Sequence, residues 1–147
     1  MWGVDGMDAA MAGDEGWRSG CRSLWRTAAA CCGDGDQAAT AVVWALHTAL
    51  EGRRQGGGPA DVWSTLAARL RDASLCGSVS PHRSDLRGAL AALPSDQRLA
   101  VALVDLGGLQ MDRAAQVAGT DRATLTRRRR AGLAALARRR HAAALGA

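Results

Sequence analysis

Arginines cluster towards the C-terminal end of this 147-residue chain. The segment RATLTRRRRAGLAALARRR, residues 122–140, contains eight arginines and no acidic residue. A guanidinium group is permanently charged and presents its N–H donors in a planar fork, which suits paired hydrogen bonds to phosphate oxygens and to base edges. The same segment could also be a solvated helix face or a membrane-surface helix. The arginines alone do not decide among these three interpretations.

The charge of the chain is unevenly distributed. From Asp85 to the C-terminal residue there are eleven arginines and five acids, a balance of +6, whereas residues 1–84 have eight arginines and nine acids, a balance of −1. All nineteen basic residues are arginine. The excess of positive charge therefore indicates a polyanionic partner for the C-terminal half.

The sequence offers no arrangement of residues for catalysis. Ser/His/Asp sets, Cys/His sets and carboxylates at catalytic spacing are not recognisable, and GGGP at 56–59 lacks the Lys-Ser/Thr of a phosphate loop. Cysteines 21, 31, 32 and 76 do not have zinc-ligand spacing and are expected to be reduced, partly buried thiols. We therefore expect a protein that is not an enzyme, with no catalytic residues, no metal site and no cofactor.

The sequence does not indicate a membrane protein. The N-terminal residues lack a basic start followed by an apolar core, and no apolar run approaches the roughly 18 residues of a membrane span. A cytoplasmic location with no membrane partner is expected.

Apolar residues at helical spacing predict three helices in the first half of the chain. The predicted helices span residues 17–30, 37–50 and 61–75. Residues 1–16 are Gly- and Asp-rich and are expected to form a disordered tail. The segment CGSVSPHRS at 76–84 has turn residues and no period, so it is predicted to be a flexible linker that follows a helical unit over 17–75.

Four helices are predicted in a second unit over 85–140, with residues 141–147 as a tail. They run from Asp85 to Leu93, from Pro94 to the pair Gly107-Gly108, through LQMDRAAQVAG to Gly119, and onward from Asp121 as N-cap, with Thr124 at the third helical position. No segment alternates as a strand would. The fold class is therefore predicted to be all-α, with two small helical units joined by a flexible linker.

Two of these helices meet across VAGTD at 117–121 with the spacing of a helix-turn-helix. Ala115 lets the helices approach, Gly119 permits a left-handed turn residue, and Leu125 anchors the second helix in the core. Such a pair presents the N-terminal part of its second helix to the major groove. The residues expected to face DNA are Arg122, Ala123, Thr124, Thr126, Arg127, Arg128 and Arg130. An ordinary helical corner with a solvated arginine face is the alternative.

The segment around this turn, residues 89–137, closely resembles region 4 of the extracytoplasmic-function group of bacterial sigma factors, in the sigma-70 family. The shared elements are Leu93-Pro94, Gln97-Arg98, the apolar helix after them and Asp105-Leu106-Gly107-Gly108-Leu109, followed by the helix-turn-helix. The resemblance implies a transcription initiation factor that directs RNA polymerase to promoters, with region 4 reading the −35 element. Its implied partners are promoter DNA and core RNA polymerase, and an anti-sigma factor is left open.

The first half resembles region 2 of the same family in LWRTAAACCGDGDQAATAVVWALHTAL (24–50) and ADVWSTLAARLRD (60–72). The resemblance implies that helix 37–50 docks on the polymerase and that the Trp63 helix lies beside the melted −10 element. Val43, Leu46 and Leu50 follow helical spacing and are expected to form the apolar docking stripe, with Trp44 beside it.

Several positions depart from the family pattern. Ala39-Thr40 and Val43 replace the acidic pair and the Gln usual on the docking helix, so polymerase binding is expected to be weaker and less sensitive to salt. Ala114 replaces a bulky aliphatic residue and Arg129 replaces Leu, so the core of region 4 is expected to be marginal.

Two functions other than transcription initiation are also compatible with the sequence. One is a degenerate, sigma-like regulator that binds promoter DNA without productive polymerase docking. The other is a basic helical module that binds an acidic membrane or protein through residues 122–140. An interfacial helix would require more and larger apolar residues than Leu125, Leu133 and Leu136, which the helix-turn-helix core itself requires.

Overall fold

The computed structural model describes residues 14–56, 61–71 and 85–146, and within these ranges all the regular structure is helical. The helices are α1 (Asp14–Cys32), α2 (Gly35–Arg54), α3 (Val62–Leu70), α4 (Leu86–Ala91), α5 (Ser95–Val101), α6 (Met111–Ala118) and α7 (Arg122–Leu145). A π-helical turn, Ala102–Leu106, continues α5. The all-α prediction is confirmed, and the described residues form three helices before residue 76 and four after residue 84. The predicted linker 76–84 lies outside the described residues.

Helical residues extend into both of the predicted tails. Helix α1 (Asp14–Cys32) includes the last three residues of the predicted 1–16 tail. At the other end, α7 continues to Leu145, through most of the predicted 141–147 tail. The reason is composition, because alanine and arginine are strong helix formers.

Aspartate side chains cap the starts of four described helices, at Asp34, Asp61, Asp85 and Asp121. The Asp61 carboxylate accepts hydrogen bonds from the backbone N–H groups of Trp63 and Ser64 at the start of α3. Asp85 accepts from the Gly88 N–H at 2.9 Å and so caps α4. These side chains satisfy backbone donors that have no partner inside the helix, which fixes where each helix begins.

Buried side chains from both halves of the chain form one hydrophobic cluster, with α1 at its centre. Helix α1 contacts α2 and α3 from the first half, and α4, α5 and the π-helical turn from the second. Leu66, Leu103 and Leu125 are among its most completely buried members. The predicted arrangement of two units joined by a flexible linker is not confirmed.

Polar contacts join the two halves at the edges of this cluster. The Arg98 guanidinium donates hydrogen bonds to the carbonyl oxygens of Cys31 (3.0 Å), Ala91 (3.1 Å) and Leu93 (3.0 Å), so one side chain satisfies the ends of both α1 and α4. The buried Thr27 hydroxyl lies 3.4 Å from the Ala102 carbonyl oxygen. Because buried polar groups are costly without partners, these bonds favour the packed arrangement.

Helix α3 is held against α6 by two arginines. Arg113 of α6 forms an ion pair with Asp61 at 2.6 Å, and Arg71, just after α3, donates a hydrogen bond at 3.0 Å to the Val117 carbonyl oxygen. The second bond satisfies one of the last carbonyl groups of α6, which have no partner inside the helix. The first helix of the predicted DNA-binding motif therefore packs directly against the first half of the chain.

Candidate nucleic-acid interface

Helices α6 and α7 are joined by the predicted helix-turn-helix turn. Gly119 ends α6 in the left-handed region, with φ 64° and ψ 38°. Ala115 is buried, and Leu125 of α7 is only 1% exposed. The left-handed conformation strains a residue that has a Cβ, which explains the glycine. The left-handed turn at Gly119 and the burial of Leu125 in the core are confirmed.

Asp121 fixes where α7 begins. Its carboxylate accepts hydrogen bonds from the Thr124 backbone N–H at 2.8 Å and from the Thr124 hydroxyl at 2.7 Å. These bonds to Thr124 lower the pKa of the Asp121 carboxyl below its ordinary value. The predicted N-cap is confirmed, and the charged carboxylate also suits the positive end of the helix dipole.

Five of the seven residues predicted to face DNA lie together on one side of α7. They line an open, shallow concave surface, which we call the reading face: Arg122, Ala123, Thr126, Arg127 and Arg130. The small Ala123 lies between longer side chains, and the face is formed by the first nine residues of the helix. A surface of this kind, with guanidinium donors around a small apolar centre, suits the edges and backbone of a DNA major groove.

The other two predicted residues point elsewhere. Thr124 is engaged by the Asp121 cap, and Arg128 forms an ion pair with Asp96 at 3.1 Å. Arg129, which replaces the family's leucine, donates two hydrogen bonds to Asp105 of the π-helical turn, at 2.8 Å and 2.6 Å. That contact raises the pKa of the Arg129 guanidinium above its ordinary value.

Acidic partners divide the arginines of α7 into two groups. Asp112, Asp96 and Asp105 pair with Arg122, Arg128 and Arg129 respectively. Within the described part of the chain, no acid pairs with Arg127 or Arg130. Arg128 and Arg129 lie outside the reading face, and Arg122 lies on it but is paired with Asp112. The uncompensated positive charge of the reading face therefore comes from Arg127 and Arg130.

The predicted docking stripe on α2 is partly exposed. Val43 is 64% exposed and Leu50 is 57% exposed, while Leu46 is half-buried and packs against the core. Trp44 is exposed beside them, and the Arg69 guanidinium carbon lies 5.3 Å from the centre of its ring. The structure therefore brings Val43 and Leu50 to one surface and places Leu46 at its inner edge.

The resemblance to region 2 implies that the Trp63 helix lies beside the melted −10 element. In the structure the Trp63 ring is only 7% exposed and belongs to the core. Trp17 and Trp25 of α1 are exposed, although neither was predicted to contact DNA or polymerase. The sequence carried no signal for this distribution, because it depends on how α1 and α3 pack against residues far along the chain.

The cysteines are partly or fully buried where the structure describes them. Cys21 is half-buried, and burial raises the pKa of its thiol above the ordinary value. Cys31 and Cys32 are buried, and Cys76 lies outside the described residues. Among the described residues, no group of three or more His, Cys, Asp or Glu side chains could hold a metal ion. No helix in these ranges is long and apolar enough to cross a membrane.

Comparison with known proteins adds no relative. No protein-family model matches the chain, and neither the curated proteins nor the solved structures include a significant match.

Proposed function

We propose that this protein binds double-stranded DNA through the reading face of α7. The observation that carries the proposal is the position of Arg127 and Arg130. Both lie on the exposed side of a helix that follows a left-handed glycine turn, and no acid within the described residues pairs with them. Arginines in this position can contact phosphates and the hydrogen-bonding edges of guanine.

The finer proposal is a sigma-like transcription initiation factor that directs core RNA polymerase to promoters, with α7 reading the −35 element. It rests on the resemblance of residues 89–137 to region 4. The exposed Val43 and Leu50 support a second contact, because an apolar anchor on α2 could dock on the polymerase without the missing acids. In this proposal the two halves separate into region 2-like and region 4-like units when polymerase is bound.

A second candidate is a sigma-like regulator that binds DNA and does not initiate transcription. The burial of Trp63 favours it, because a ring inside the core cannot stack on unpaired bases. The contacts of α3 with α6 through Arg113 and Arg71 also keep the halves together. In this candidate function the protein binds DNA through the reading face and does not bind the polymerase.

Salt-dependent binding of a labelled duplex tests the shared proposal. Each phosphate contact contributes about 0.9 to the slope of log K against log salt, so Arg127→Ala/Arg130→Ala should flatten it by up to about 1.8. The matched control is Arg22→Ala/Arg26→Ala, which removes two exposed arginines from α1. Equal slopes in the two double variants would contradict the proposal, because the arginines of α7 would then act only through net charge.

A further inference from the structure

The end of α7 extends beyond the folded core. Leu136 is the last half-buried residue of the helix, and every residue from Ala137 to Gly146 is exposed. The helix nevertheless continues to Leu145. At 1.5 Å of rise per residue, residues 137–145 project about 13 Å from the body of the protein. This projecting segment carries Arg138, Arg139, Arg140 and His141.

Three basic residues of the projecting segment lie on the side of α7 that carries the reading face, and Arg140 is one of them, because it follows Arg122 by eighteen residues, or about five whole turns. Arg138 follows Arg127 by eleven residues, and His141 follows Arg130 by the same interval. Eleven residues are about three whole turns of an α-helix, so each pair lies on one side of α7 within roughly 20°. Arg139 follows Arg130 by nine residues, about two and a half turns, and therefore lies on the opposite side.

The length of this basic line exceeds the width of the groove it would enter. Eleven residues rise about 16 Å along the helix, whereas the major groove of B-DNA is about 12 Å wide. When α7 enters the groove by its N-terminal end, as the second helix of such a motif does, its far end passes the sugar–phosphate backbone at the edge. We infer that Arg138, with His141 beside it, binds a backbone phosphate there, at a second and sequence-independent contact. This inference rests on the proposed DNA binding.

The apolar content of the segment favours DNA over a lipid surface. Leu145 is the one large apolar side chain from residue 137 to residue 146, and the other apolar residues there are alanines. A helix lying in a membrane interface needs a broad apolar face, which alanines do not provide. Permanently charged guanidinium groups on an exposed helix suit phosphates spaced along a duplex.

A comparison of Arg138→Ala with Arg139→Ala in the full chain tests the inference. Both variants remove one exposed arginine from the same turn, so their effects on net charge and helix propensity match. A labelled duplex is titrated between 50 and 200 mM NaCl. Arg138→Ala should flatten the log K against log salt slope by about 0.9, which is about 3.5-fold in affinity over this range, and Arg139→Ala should not. The loss should be equal on duplexes of unrelated sequence.

Three other results would each contradict the phosphate contact of Arg138, and they can be distinguished from one another. If Arg127→Ala flattens the slope while Arg138→Ala and Arg139→Ala behave alike, the phosphate contact is wrong and the proposed DNA binding stands. If the wild-type chain does not bind duplex DNA, both fail. If Arg138→Ala weakens only pelleting with phosphatidylserine–phosphatidylcholine vesicles, the segment is a lipid-binding element instead.

Discussion

Gly107 lies where three parts of the core meet. A Cβ atom at this position would be 2.7 Å from the Leu103 carbonyl oxygen, 2.8 Å from the Thr27 hydroxyl oxygen and 3.1 Å from the Trp63 ring. Its φ of −77° is open to any residue, so the glycine is required by space and not by backbone conformation. The close approach of Thr27 and Trp63 therefore depends on the missing side chain.

Replacement of Gly107 by alanine should destabilise the fold by about 1–3 kcal/mol, the usual cost of overpacking a core. The measurement is urea unfolding followed by circular dichroism. Gly35→Ala is the matched control, because a Cβ there meets nothing within 4 Å. A Gly107→Ala protein as stable as the Gly35→Ala protein would show that α1 and α3 do not pack against this turn.

The helices and the turn between α6 and α7 could be predicted from the sequence, because the features that determine them are local. Ala115, Gly119 and Leu125 act within one turn and its two flanking helices, so their spacing was sufficient to predict the motif. Asp121 caps the helix that immediately follows it, which made it equally predictable. Most of the helices could be placed because their apolar periodicity and breaks are local properties.

Ion pairs between α7 and acids on distant elements could not be predicted from the sequence. Asp96 and Asp105 remove Arg128 and Arg129 from the exposed charge of α7, but these acids lie on other elements and no spacing rule connects them. The Thr124 hydroxyl, which was expected to face DNA, donates a hydrogen bond to the Asp121 carboxylate. The reading face was therefore predicted approximately, and packing against α5 and the π-helical turn defined its edge.

The exposed apolar residues of α2 are the proposed docking site for core RNA polymerase, and Leu50 is the residue with which to test it. Leu50→Asp should weaken capture of core RNA polymerase about tenfold or more, because a charge in an apolar contact is desolvated without a partner. Leu50 is a better test than the half-buried Leu46, whose replacement would also disturb the core. Leu86→Asp is the control, since Leu86 of α4 is exposed to a similar degree, 61% against 57%. Equal capture of the two variants would exclude docking through this surface.

For the whole molecule, the main difference from expectation is the shared core. The sequence predicted two units because a segment rich in turn residues separates two periodic halves. Arg98, Thr27 and the small Gly107 instead join α1 to the second half, and all three contacts are visible only in three dimensions. The reading face and the exposed part of α2 nevertheless both remain open in this arrangement.

This arrangement has a consequence for the initiation proposal. If the protein acts like a sigma factor, polymerase must contact α2 while DNA contacts α7. Trp63 becomes available to unpaired bases only if α3 leaves the core. Binding energy from the polymerase would have to offset the loss of that burial. A regulator that binds DNA alone would keep the packed arrangement unchanged.

Transcription of sheared genomic DNA by the core polymerase of the source organism tests the central claim most directly. Wild-type protein should produce new transcripts whose 5′ ends share a sequence element upstream. Arg127→Ala/Arg130→Ala should abolish them, because the element would no longer be read. Arg22→Ala/Arg26→Ala should retain them. Transcripts that are the same with and without the wild-type protein would contradict initiation and leave a DNA-binding regulator as the function to pursue.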